Sequence, residues 1–160
     1  MAYTRVFIHG LESTAQGMKG RFFARHFSQM IIEDFTGEFS ERMMKLRELL
    51  DYKNNLILVG SSYGGLMAVQ YAMEYEHRVK KMILLAPALN LPEFQWKAGR
   101  KLKMPVVIYH GRNDDVVDPQ RVQAIASDIF VHYEYHLVDD DHPLHKTFTK
   151  IPWTELLEAD

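Results

Sequence analysis

The sequence predicts an α/β fold: one three-layer sandwich, an about six-stranded, mostly parallel sheet with helices on both faces. Three observations predict it. Short apolar runs alternate with longer stretches of helical character. Two of the runs, LILVG and MILLA, are continuously apolar, as strands buried on both faces are. Residues able to do chemistry fall just after the runs, where open parallel sheets bind ligands.

The elements follow in order. Strands are expected at 5–9, 30–33, 56–60, 81–85, 106–110 and 133–138, and helices at 17–28, 38–52, 63–76, 118–129 and 152–158. The last strand, HYEYHLV, alternates polar and apolar residues, which suits an edge with one wet face. Segment 86–104 contains Pro87, Pro92, Phe94 and Trp96 and fits neither period, so it is expected to form a flap beside the site.

At 160 residues the chain falls in the range of one domain spanning 1–160. A net charge of −2, with Lys and Arg spread along the chain, offers neither a basic face for nucleic acid nor a polybasic membrane anchor. The most apolar stretch, 82–91, is broken by Pro87 and is too short to cross a bilayer. The start, MAYTRVFIHG, does not read as a signal peptide, and a cytoplasmic location is expected. With no cysteine in the chain, disulfides, thiolate metal sites and a cysteine nucleophile are excluded together.

Gly60-Ser61-Ser62-Tyr63-Gly64 is a G-x-S-x-G motif at the junction of a predicted strand and a predicted helix. Such a motif alone recurs by chance in roughly one chain of this length in twenty, so its strand-to-helix context carries the weight. A serine on a sharp turn needs unusual backbone angles, and glycines two residues either side let the chain pass without a Cβ clash. Ser62 has that spacing, whereas Ser61 is flanked by Val59 and Tyr63. The competing reading makes Ser62 an ordinary helix N-cap.

A serine hydroxyl needs a base to take its proton and a third group to hold that base. Downstream, VVIYHGRNDDVVDP offers Asp114 or Asp115 and HYEYHLVDDDHPLH offers His142 or His145. Asp114 could equally be a turn residue. His26, His77, His132 and His136 have no chemical context, and Glu33 and Asp34 fit a solvated loop.

The stretch from His110 to Val117 resembles the H-G-x-x-D-x-x-V segment of the α/β-hydrolase superfamily, in which the first aspartate is the triad acid. The resemblance implies Asp114. Asp141-His142 is similar to the D-H segment before the family's last helix, which implies His142, and the order Ser, Asp, His is the family's own. His9-Gly10-Leu11 resembles the H-G-x oxyanion loop, so the backbone N–H groups of Leu11 and of Tyr63, directly after Ser62, are the implied oxyanion donors. The loop that follows, 12–17, is polar and expected at the rim.

Larger relatives carry two additional strands before the H-G strand and a cap domain, for which this chain has no room; it looks most like the short, capless bacterial esterase-like members. A dehalogenase would carry aspartate at position 62 and a dienelactone hydrolase cysteine. The expected function is hydrolysis of a small carboxylic ester or thioester through an acyl-enzyme, a small molecule being the partner and no cofactor being needed. The rival reading is a non-catalytic binding module that keeps the fold. Asp139, Asp140, Asp141, His142 and His145 cluster in sequence, but consecutive residues rarely point at one ion and no H-E-x-x-H pair is present. No metal is expected.

Overall fold

A computed structural model describes residues 2–158. Its strands are β1 (Thr4–Ile8), β2 (Ile31–Ile32), β3 (Leu56–Ser61), β4 (Val79–Leu85), β5 (Val106–Gly111) and β6 (Tyr133–Val138). The helices are α1 (Met18–His26), α2 (Phe39–Leu49), α3 (Tyr63–Glu74), α4 (Pro119–Ile129) and α5 (Trp153–Leu156). All six strands pair in parallel, in the order β2-β1-β3-β4-β5-β6. The chain leaves β1 in one direction to form β2 and returns to the other side for β3. This reversal opens a crevice at the carboxyl ends of β1 and β3.

Period-two alternation divides the strands between two apolar layers. Val6, Ile8, Leu58, Met82, Leu84 and Ile108 face the core built with α2, α3 and α4. Phe7, Ile57, Val59, Ile83 and Leu85 face the core built with Phe23 of α1, Phe148 and Trp153 of α5. Two-sided burial is why β3 and β4 read as continuous apolar runs.

Local chemistry sets the helix starts. Asp118 caps α4 by accepting from Gln120 N–H, with Pro119 at the first helical position. Glu38 and Glu41 form a capping box at the start of α2. Helix α2 stops at Leu49, short of the expected 52, because the chain turns through positive φ at Tyr52 (61°) and Asn55 (52°).

Three expectations are corrected. Strand β2 is two residues long rather than four: only Ile31 and Ile32 pair with β1, while Glu33 turns to an ion pair with Lys45 (3.7 Å) and Asp34 accepts from Ala15 N–H (2.7 Å). Strand β4 starts two residues early, at Val79, where a register shift between Leu56 and Ile57 leaves Lys80 without a partner; the charged Lys80-Lys81 pair hid the strand's start. Segment 86–104 lies beside Ser62 through Ala88, Asn90 and Leu91 as a flap would, but Phe94 turns into the core instead, 5% exposed, stacking on Trp96 at 4.6 Å.

Candidate active site

Ser62 sits between β3 and α3 with φ 55° and ψ −114°, a backbone conformation that costs stability for any L-residue and is stored at functional turns. The turn is held from several sides. Ser62 N–H donates to Leu85 O (2.8 Å), and Ser62 O accepts from Gly65, Leu66 and Ala88 N–H. The two motif glycines have a steric reason. A Cβ on Gly60 would lie 2.4 Å from Gly64 O, and one on Gly64 would lie 2.0 Å from Ile8 O and 2.6 Å from His9 O. Gly64→Ala is therefore expected to cost about 1–3 kcal/mol or more, read as a lower urea midpoint. Gly10→Ala, whose Cβ meets only ordinary 3.5 Å contacts, should stay near wild type.

The Ser62 hydroxyl makes no capping bond to α3. It lies 3.0 Å from His142 Nε2 instead, and His142 Nδ1 lies 2.6 Å from Asp114 Oδ2. Since a carboxylate only accepts, His142 Nδ1 carries the proton and Nε2 is free to accept from Ser62. The serine, imidazole and carboxylate thus form one hydrogen-bonded line, assembled from residues 80 and 28 positions apart.

Asp114 is fully committed. Oδ1 accepts from Val116 and Val117 N–H (2.8 Å each), and Oδ2 accepts from His142 and from His110 Nε2 (3.1 Å). Burial alone would raise this carboxyl, but the bonds from His110, His142, Val117 and Val116 outweigh it and hold Asp114 well below the usual carboxylate range. Neighbouring Asp115 is exposed. His145, exposed at the rim of the same cavity, donates from Nδ1 to Asp141 at 2.7 Å, which holds the Asp141 carboxyl down at about 2.

Leu11 and Tyr63, the two oxyanion candidates, both line the cavity that holds Ser62 and His142. Tyr63 opens α3, so its N–H has no intrahelical acceptor, and neither it nor Leu11 N–H donates to a protein group among the described residues. His9 braces this loop: Nδ1 donates to Gly10 O (2.7 Å) and Nε2 accepts from Phe35 N–H (2.8 Å). Burial lowers the His9 pKa, and the Arg42 and Lys45 charges add to that against the Gly10 carbonyl and Asp34. The tyrosine side chain anchors the segment after β4 through a 3.0 Å bond from its hydroxyl to Glu93, and burial, reinforced by Glu93, pushes its pKa up to about 12.

Ser62 and His142 open into a cavity of about 590 Å³. Leu11, Glu12 and Ser13 line it from the loop after β1, Met18 and Lys19 from α1, Ala88, Asn90 and Leu91 from the segment after β4, and Val116 and Val117 from the loop after β5. Of the polar rim expected at 12–17, only Glu12 and Ser13 reach the cavity, and Phe94 and Trp96 do not line it. Lys19 reaches the histidine loop, donating to Pro143 O at 2.8 Å; burial lowers its pKa against the pull of Asp141 and Asp140. Three lining groups had no sequence signal: Met18, Lys19 and Asn90. His110 had one, the i, i+4 spacing to Asp114, but was assigned no role.

The aspartate run is occupied within its own loop and by the loop after β5. Asp140 accepts from Asp141, Lys146 and Thr147 N–H, and Asp139 accepts from Asn113. Among the described residues no three His, Asp or Glu side chains converge as metal ligands, and no helix is long and apolar enough to cross a membrane.

A sequence profile described as the alpha/beta hydrolase fold matches residues 25–101. Est1E from Butyrivibrio proteoclasticus superposes with a TM-score of 0.79 at 14% identity, over 96% of this chain and 85% of that one. The chain has the fold of the α/β hydrolases. It is also similar to mouse alpha/beta hydrolase domain-containing protein 10, with a TM-score of 0.70 at 21% identity over 88% of this chain and 82% of that one. The Bacillus cereus carboxylesterase gives 0.69 at 16% identity, over 96% and 85%. No curated protein matches in sequence.

Proposed function

We propose that this α/β hydrolase is a serine esterase that cleaves small carboxylic esters or thioesters through an acyl-enzyme. The observation that carries the reading is the Ser62 hydroxyl, which leaves the helix end uncapped and points at His142 Nε2, 3.0 Å away. In the first step Ser62 Oγ bonds to the substrate carbonyl carbon as its proton passes to Nε2. Asp114 holds the imidazole in the receiving tautomer and faces the imidazolium that forms. The carbonyl oxygen, now an oxyanion, takes the N–H groups of Leu11 and Tyr63, each such donor being worth about 10²–10³ in rate. His142 then gives its proton to the departing alcohol or thiol, and water repeats the sequence to free the acid and Ser62.

Two similar structures support the ester class: Est1E has been seen with ferulic acid bound, and the Bacillus cereus protein is named a carboxylesterase. A fluorophosphonate probe should label Ser62 stoichiometrically, with the modified peptide identified by mass spectrometry. A binding module that merely keeps the fold would remain unlabelled.

The cavity also bears on acyl length. Its mouth is open, with Leu11 49% and Val116 66% exposed, and no helix of the segment after β4 covers it. A methylene contributes about 0.8 kcal/mol only when it leaves water, so lengthening the acyl chain should soon stop helping. Acetyl to butyryl p-nitrophenyl esters should be preferred over chains of ten or more carbons in kcat/KM. A steady rise out to long chains would refute the open-cavity reading.

A further inference from the structure

We propose, building on the serine-esterase reading, that His110 is a positioning residue whose Nε2–H aims the Asp114 carboxylate at His142. His110 lies at the end of β5 with its side chain wholly buried. Its Nε2 is 3.1 Å from Asp114 Oδ2 and 3.0 Å from Val117 O. Both partners only accept, so Nε2 must carry the proton and share it between them. The ring's other nitrogen, Nδ1, is buried with no hydrogen-bond partner.

That orphan nitrogen bears on the purpose. With the proton on Nε2, the Nδ1 lone pair is left buried and unanswered, which costs free energy. An apolar residue would avoid even that cost at the end of a strand whose neighbours are core. The imidazole is retained at a net cost to packing, and what it supplies in return is one directed donor.

The donor falls where the site needs it. Asp114 Oδ2 is shared by His110 Nε2 and His142 Nδ1, while Oδ1 is fixed by Val116 and Val117 N–H. The loop 114–117 therefore wraps the His110 ring, receiving its proton at both Asp114 and Val117 O. Without that donor the carboxylate keeps its two backbone anchors but is free to rotate about them, and Oδ2 loses its fixed direction toward His142. His110 touches neither the cavity nor Ser62, so it acts through Asp114 alone.

The test uses two substitutions of similar polarity. The amide nitrogen of Gln lies about as far along the side chain as Nε2, and that of Asn about as far as Nδ1. His110→Asn should therefore lose the bond to Asp114 and lower kcat on the order of 10-fold, with KM for p-nitrophenyl acetate unchanged within about 2-fold. His110→Gln should recover most of that loss. In an Asp114→Ala background, His110→Asn should change kcat by less than about 2-fold, because the group it acts through is gone. Equal losses for Gln and Asn, or the same loss with and without Asp114, would overturn the proposal. So would failure of both variants to fold, which would make His110 a packing residue. Failure of the esterase reading registers separately, as turnover that survives Ser62→Ala.

Discussion

Ser62→Ala and His142→Ala are each expected to remove nearly all hydrolysis while leaving the fold intact. The Ser62 hydroxyl makes no structural bond beyond the one to His142, so deleting it costs catalysis and little else. The strained φ of 55° remains with alanine, and the unfolding midpoint should move little. His142 is only partly buried, its side chain 18% exposed, and its ring bonds are to Asp114 and Ser62 alone. Because nucleophile and base act as one unit, each variant should lose on the order of 10⁴–10⁶ in kcat, and the double variant no more than either single. Stopped assays on p-nitrophenyl acetate with parallel thermal melts measure both halves. Turnover near wild type in either variant would remove the residue from its role, and a double variant much worse than the singles would mean that they act independently.

The parts of the fold that the sequence made legible are those whose physics is local or periodic. Two-sided burial wrote itself into LILVG and MILLA, and one wet face into the alternation of β6, whose residues run from half-buried to exposed. The turn at Ser62 was legible because the close approaches of Gly60 and Gly64 leave room for no side chain at those spacings. What stayed hidden depends on tertiary packing. Phe94 after a strand reads the same whether it walls a cavity or enters the core, and the stacking of Trp96 outside it decides for the core. Met18 and Lys19 reach the cavity only because α1 packs beside the histidine loop, a contact between residues 124 positions apart. Strand β2 ends after two residues because Glu33 and Asp34 find partners in α2 and the loop before α1, which no hydropathy pattern records.

Asp114→Asn should cost activity on the order of 10³–10⁴-fold, and Asp115→Asn no more than about 3-fold. Asp114 accepts four hydrogen bonds, two on each oxygen, and an asparagine has one oxygen for two of them. If its NH₂ group faces the valine N–H groups, donors meet donors and the loop after β5 is pushed apart. If it faces His142, it donates to Nδ1 and drives the proton to Nε2, the nitrogen that must receive the proton of Ser62. Either outcome stops the reaction, whereas exposed Asp115 makes no such bonds. The pH dependence follows from the same geometry. With its pKa held below the usual range, Asp114 stays ionised as the medium is acidified, so it should add no ionisation of its own to the acid limb of kcat/KM. Stability has a definite sign as well. A carboxyl depressed in the folded state stabilises it above its unfolded pKa of about 3.9 and loses that contribution as pH falls through the folded value. Urea midpoints of wild type and Asp114→Asn should therefore differ most near neutrality and converge below about pH 4. Curves that stayed parallel to lower pH would mean that the buried carboxylate contributes nothing by being charged.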